Sequence, residues 1–135
     1  MSLIFVVVEV RQNTAEIRGS THQSVSEQVN ELYLTIAEDE RLSKLISEMM
    51  EDSNLRENLN PADQISLDFV ILTGLRRIEN IHLQYLDGIL SNDAFDRIGM
   101  NFYRKQYAKE TWEMYKGGFD SDFVAFFETF RDEVK

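Results

Sequence analysis

The segment Ile65–Tyr85, with the sequence ISLDFVILTGLRRIENIHLQY, decides the fold of this chain. Between Ile65 and Leu75 apolar side chains fall on every side of a helix. Because such a helix has no face suited to solvent, neighbouring elements must cover it. The sequence therefore predicts a buried central helix over residues 61–87. The residues suited to its cap, its first position and the left-handed position after its end are Asn60, Pro61 and Gly88.

Apolar residues at helical spacing recur on both sides of this segment. The other predicted elements are a helix over 13–37, a helix from Glu38, a polar connection at Ser53–Leu59, a helix from Ser91 and a last helix from Asp120. The pattern leaves open whether residues 92–116 form one helix or two. We predict an all-α fold, an irregular or orthogonal bundle of five or six helices around the central one.

Length and composition limit the class of protein. At 135 residues the chain is long enough for one domain with a single hydrophobic core. It has no cysteine, which excludes disulfides, thiolate metal sites and cysteine nucleophiles. With 24 acidic and 14 basic residues its net charge is −10. We expect it to bind no nucleic acid, because the phosphate backbone would be repelled.

The N-terminal run Leu3–Val8 reads LIFVVV and is too short to cross a bilayer, which takes about 20 residues in a helix. It also lacks the basic lead and the cleavage site of a signal peptide. Three interpretations compete: a β-strand, a helical turn packed in the core, and the inner end of a membrane helix whose earlier part is missing. The abrupt change to polar residues at Arg11 favours the third. The chain therefore divides into an apolar segment, residues 1–11, which the third interpretation makes a remnant of a membrane helix, and one helical domain, residues 12–135.

The order of three motifs resembles a known family. An apolar run is followed by VEVRQNTAEIRGST (Val8–Thr21) and later by LRRIENIHLQYLDGILS (Leu75–Ser91). This order is similar to that of small uncharacterised bacterial proteins with one N-terminal membrane helix and an all-helical soluble domain. The resemblance implies attachment to a bacterial membrane and brings no established activity. Arg11 and Arg18 would place the domain on the cytoplasmic side. The chain departs from the family by lacking most of the membrane helix.

One pair on the central helix has the spacing of a metal site. Glu79 and His82 lie at i and i+3 and share a face, as in the di-iron and di-manganese centres of helical bundles. Such a centre needs a second pair of this kind. The other histidine is His22, and Gly19 stands where its partner glutamate should lie. A mononuclear site built from Glu79, His82 and one more carboxylate stays open, against a structural role for both residues.

A second cluster on the same helix comprises Arg76, Arg77, Glu79 and Asn80. Two arginines beside a groove suit a bound carboxylate or phosphate. The alternative is a structural network in which Arg76 reaches Glu79 or Asn80 one turn away, or an acid on a neighbouring helix. The burial of Arg76, Glu79 and His82 separates the interpretations. A sealed, mutually satisfied set indicates a scaffold, and a set open to a cavity indicates a site.

The sequence lacks the motifs of other common catalytic and nucleotide-binding sites. There is no nucleophile elbow, phosphate loop or dinucleotide-binding fingerprint, so no catalytic residue and no cofactor are predicted. Basic and aromatic residues interleave over 97–116, which is also typical of an RNA or peptide surface. The aromatic residues fall at core spacing, and the phenylalanine residues after Asp120 do the same, so we interpret both stretches as core helices.

The leading functional hypothesis is a non-enzymatic helical interaction or scaffold module attached to a bacterial membrane, with a protein partner or a second copy as its ligand. Its domain is expected on the cytoplasmic side, or in the cytoplasm if no membrane helix precedes it. The alternatives are a metal-dependent enzyme centred on Glu79 and His82 and a small-anion sensor that uses Arg76 and Arg77.

Overall fold

The computed structural model describes residues 3–90, 94–95 and 98–133, with side chains at all of these except 3, 5, 14, 18–22 and 25. Over this part the chain is all-α and contains no strand. Its elements are α1 (Leu3–Glu38), α2 (Glu40–Glu51), α3 (Leu55–Asn58), α4 (Pro61–Leu86), α5 (Met100–Tyr103), α6 (Gln106–Tyr115), a 3-10 turn (Lys116–Gly118) and α7 (Ser121–Asp132). The predicted fold class, an all-α helical bundle, is confirmed, but the described residues form seven α-helices where five or six were predicted, because α3 and α5 are additional single turns.

The ends of α4 follow from three residues. The Asn60 side chain accepts a hydrogen bond from the Asp63 backbone N–H at 2.9 Å, which satisfies one of the free donors of the first turn. Pro61 occupies the first helical position, where no N–H is needed. Gly88 has a φ of 75°, the left-handed conformation that ends a helix. The predicted central helix is therefore confirmed to within one residue.

One side of α4 forms the centre of the hydrophobic core. Leu67, Ile71, Leu75 and Ile78 recur at helical spacing and are buried. Helices α2, α6 and α7 bring their own apolar faces against this side. The buried residues that they contribute are Leu45, Met49, Tyr107, Trp112, Phe123 and Phe127.

Complete enclosure of the first half of α4 was expected, and this prediction is wrong. Ile65 is 54 % exposed and Phe69 is 56 % exposed, and Thr73 continues the same exposed face one turn later. No described element covers that face, although α1, α2 and α6 all contact α4. An apolar pattern shows that a side chain can be buried, whereas the number of neighbours decides whether it is.

Two connections differ from the prediction. The polar stretch 53–59 contains the single helical turn α3, because Leu55 is buried in the core. After α4, a helix through Phe95 and Ile98 was expected, but Gly99 has a φ of 69° and α5 starts only at Met100. A left-handed residue cannot continue a right-handed helix. Arg104 and Lys105 then separate α5 from α6, so 100–115 form two helices. The predicted cap Ser91 lies outside the described residues.

Helix α1 includes the N-terminal apolar run without a break at residue 11. The strand interpretation of that run is therefore wrong. The core interpretation is wrong as well, because every side chain described from 4 to 27 is exposed. Contacts with the body begin near Gln28, whose carbonyl accepts a hydrogen bond from Arg77. Of the described helices, none combines the length and the apolar character that crossing a membrane requires.

Candidate functional site

Arg76 and Glu79 connect α4 to the turn before α7. Arg76 Nη1 donates to Glu79 Oε1 at 3.1 Å, and Arg76 Nη2 donates to the Gly118 carbonyl at 3.1 Å. The guanidinium lies 3.9 Å from the centre of the Phe119 ring. The second oxygen of Glu79 accepts from the Asp120 backbone N–H at 3.2 Å. The Arg76 side chain is 53 % exposed and that of Glu79 is 16 % exposed, so the set is not sealed. Its bonds match the structural network considered for Arg76, and they hold the turn that precedes α7.

Arg77 and Asn80 do not join Arg76 in one site. Arg77 contacts α1 through the Gln28 carbonyl, whereas Arg76 contacts the 3-10 turn before α7. The Asn80 side chain is exposed. The two guanidinium groups therefore serve two different helix contacts instead of converging on a shared anion. The anion site stays a prediction without geometric support.

The His82 side chain of α4 is buried against α7. It is 4 % exposed, and its ring stacks on Phe126 at a centroid distance of 4.3 Å with a second contact to Phe123 at 5.7 Å. Neither ring nitrogen meets a hydrogen-bond partner among the described residues. Burial lowers the pKa of His82, against the opposing charges of Asp120, Asp122 and Glu79. The imidazole is therefore held neutral as part of an aromatic cluster.

A metal centre on Glu79 and His82 lacks further ligands. In the part of the chain that the structure describes, no group of three or more His, Cys, Asp or Glu side chains is placed to hold a metal ion. Both oxygens of Glu79 are already engaged by Arg76 and by the Asp120 N–H. The metal site stays a prediction that this geometry does not favour, and the earlier histidine, His22, has no described side chain.

We expect the stability of the protein to fall as the pH decreases from 7 towards 5.5. The pKa of His82 is lowered on folding, so the unfolded chain takes up a proton near pH 6.5 that the folded chain resists. The stability that the neutral His82 contributes is therefore fully present above the pKa of this histidine in the unfolded chain, and it is lost as the pH falls below that value. Urea unfolding at several pH values measures this, with His82→Phe as the control. An equally steep pH dependence in the variant would contradict the assignment to His82.

The largest buried polar cluster was not predicted from the sequence. Asp68 of α4 accepts hydrogen bonds from both terminal nitrogens of Arg56 on α3, at 3.1 and 3.3 Å. Thr111 of α6 donates to the same carboxylate at 2.8 Å. The Asp68 side chain is 6 % exposed and that of Arg56 is 17 % exposed. The cluster joins three helices at the core.

Further contacts hold Arg56 in this place. Its Nη2 donates to Thr111 Oγ1 at 2.6 Å and to the Tyr107 carbonyl at 3.2 Å. The guanidinium also lies 3.9 Å from the centre of the Tyr107 ring. Because two of the three helices bind the arginine through directional groups, the cluster fixes their orientation. Its chemistry is structural: a paired carboxylate and guanidinium with a satisfied hydroxyl.

The exposed surface of α1 is the other unusual feature. Ile4, Val6, Val7 and Val8 are 38–78 % exposed and lie within about two helical turns. Glu9 and Arg11 follow them, so the flanking charges cancel. Contiguous exposed apolar side chains are typical of surfaces that contact a membrane or a partner.

Comparisons of the chain with protein-family models, with curated proteins and with solved structures found no match. The resemblance to membrane-anchored bacterial proteins therefore stays a prediction. The function has to be argued from the contacts, the burial and the charges of this chain.

Proposed function

We propose that the protein is a non-enzymatic helical interaction module held on a membrane surface by the apolar N-terminal turns of α1. The observation that carries the proposal is the exposure of Ile4, Val6, Val7 and Val8, which no described element covers. Burying a valine side chain contributes about 1.5 kcal/mol or more. Because the four side chains are 38–78 % exposed, each contributes only part of this free energy in a bilayer interface, so the attachment that we propose is weak and reversible.

The length of the described apolar segment fits entry into a membrane surface. Leu3–Val8 covers about 9 Å along the axis of α1. If α1 enters end-on, this length matches the depth of about 5–10 Å to which interfacial helices bury their apolar face. A crossing helix needs about 30 Å of apolar length. The α1 residues between this segment and the body, up to 27, are mostly polar and exposed where their side chains are described. They act as a helical spacer that keeps the body away from the lipid.

The polar groups of the body support a binding role over a catalytic one. Arg76, Glu79 and His82 are used in packing α4 against α7, and Arg56 and Asp68 are used in joining α3 to α4. The exposed apolar side chains Ile65 and Phe69 lie on the uncovered face of α4, a surface suited to a protein partner or a second copy.

Vesicle flotation tests the attachment. We expect the chain to float with phosphatidylcholine vesicles, and the variant Val7→Asp/Val8→Asp to bind at least about tenfold more weakly, because two charged side chains replace apolar ones in the interface. Ile17→Asp is the matched control, since Ile17 is also exposed on α1 but lies outside the apolar turns. It should float like the unchanged protein. Equal flotation of the double variant, or no flotation of the unchanged chain, would refute the proposal.

The charge of the protein gives a second readout. Since the net charge is −10, anionic lipid should weaken the attachment instead of strengthening it. Replacing one third of the phosphatidylcholine by phosphatidylserine at low salt is expected to lower the bound fraction. A stronger attachment would point to a basic binding surface, which the proposal does not include.

A further inference from the structure

A half-enclosed cleft of about 240 Å³ lies where the C-terminal part of α1 meets α2, α4 and the start of α5. The described residues that line it are almost entirely apolar, and none of them carries a charge. The residues that decide its size and chemistry are Tyr33 and Ile36 of α1, Ile46 of α2, Val70 of α4, Phe102 and Tyr103. Small-molecule sites are typically concave, mostly apolar and supplied with a few polar groups.

The cleft has one tyrosine hydroxyl beside a lining residue, that of Tyr33, and Tyr103 lines it with its hydroxyl directed at Gly74. The Tyr33 hydroxyl oxygen lies 3.8 Å from the point where a Cβ on Gly99 would stand, at the rim of the cleft. The Tyr103 hydroxyl lies against Gly74, where a methyl group would overlap it. Burial raises the pKa of Tyr103, nearby Tyr33 raises it further and Arg77 lowers it. The Tyr103 hydroxyl therefore keeps its proton and can donate a hydrogen bond.

The size of the cleft limits the ligand. An apolar cavity of about 150 Å³ takes benzene, so 240 Å³ takes about ten carbon atoms. The described lining residues carry no charge, and this disfavours an ion, because a charge placed against them would lose its hydration without gaining a partner. A hydroxyl or carbonyl oxygen on the ligand would pair with a tyrosine hydroxyl.

We propose that this cleft binds a neutral apolar molecule of about ten carbon atoms that carries one hydrogen-bonding oxygen. Binding closes the contact between the C-terminal part of α1 and the body, because the ligand touches Ile36 of α1 together with Val70 of α4. This site is separate from the exposed turns at the start of α1, so it neither depends on membrane attachment nor supports it.

The probe is 1-decanol, measured by thermal shift and by calorimetric titration. We expect a saturable rise in the unfolding temperature, since a ligand of the native state stabilises it. Decanoate and decylamine, which have the same chain with a charge, should bind at least about tenfold more weakly. No saturable shift with 1-decanol, or tighter binding of either charged probe, would overturn the proposal.

Val70→Phe fills the cleft and is expected to weaken 1-decanol binding at least about tenfold. Ile65→Phe is the matched control, because it adds a similar volume to the exposed face of α4 and should leave the affinity unchanged. If Val70→Phe does not fold, Tyr33→Phe replaces it, with an expected loss of about threefold to tenfold from one hydrogen bond. Unchanged affinity in the folded variant would overturn the proposal. The proposal would also be overturned if the unchanged protein formed a dimer that Val70→Phe dissociates, because a second copy of the chain would then fill the cleft.

Discussion

Replacing Asp68 by alanine is expected to lower the free energy of unfolding by about 3–5 kcal/mol. The change removes the carboxylate that holds both terminal nitrogens of Arg56 and accepts from Thr111. The guanidinium then stays buried beside Tyr107 without its counter-charge. The cost comes from that uncompensated charge, since a buried pair contributes little net stability compared with apolar residues of similar volume.

Urea unfolding of two further variants separates this explanation from simple loss of contacts. Arg56→Met/Asp68→Leu removes both charges and should cost clearly less than Asp68→Ala alone. Glu48→Gln breaks the exposed pair with Lys44, whose Nζ–Oε1 distance is 3.9 Å, and should cost no more than about 0.5 kcal/mol. If the double variant were as unstable as Asp68→Ala, the buried charge would not be the cause.

Replacing Trp112 by alanine is expected to cost about 3–5 kcal/mol. The indole is 1 % exposed and lies at the centre of the aromatic core, with ring centroids 4.5 Å from Phe127 and 5.3 Å from Phe119. Its Nε1 donates to Glu128 Oε1 at 2.9 Å. The substitution removes the packing between α6 and α7 and leaves a cavity that the surrounding rings cannot fill.

Two further substitutions on α6 test whether the packing of the indole causes this loss of stability. Trp112→Phe keeps most of the ring contacts and loses the bond to Glu128, so it should cost clearly less than the alanine variant. Met114→Ala removes a large apolar side chain that is 60 % exposed on the same helix, and it should cost less than about 0.5 kcal/mol. A similar loss for Met114→Ala and Trp112→Ala would contradict the described packing of α6.

Local signals in the sequence were sufficient to predict the central helix α4. Asn60, Pro61 and Gly88 act through the backbone of their own helix, so their effect does not depend on distant residues. The exposure of Ile65 and Phe69 could not be predicted in the same way. It depends on how many helices reach that face of α4, and this is a property of the packing of the whole chain.

The polar contacts also divide into those within one helix, which the sequence predicts, and those between helices, which it does not. The pair of Arg76 and Glu79 lies within one helix and was considered from its spacing, whereas Arg56 and Asp68 lie 12 residues apart on different helices. One signal pointed to the second pair: Asp68 is the single charged residue between Ile65 and Leu75. A lone acid in the most apolar stretch of a chain predicts a buried partner, although the sequence does not identify that partner.

The interruption of the predicted helix at Gly99, before α5, also depends on the packing of the whole chain. Glycine is compatible with a helix and with the left-handed region, and only the surrounding packing selects between them. At Gly99 the left-handed conformation is selected. The helical spacing of Phe95, Ile98 and Phe102 therefore reflects packing against two core clusters, which Ile98 connects, and not a continuous helix.

The central claim is that the apolar turns of α1 enter a membrane surface while the rest of α1 stays in water. The chain has no cysteine, so Val7→Cys can carry a single environment-sensitive nitrobenzoxadiazole label. Phosphatidylcholine vesicles should shift its emission to shorter wavelength and increase its intensity, and the same label at Ser24→Cys should not respond. An unchanged spectrum at position 7 in the presence of excess vesicles would contradict the account.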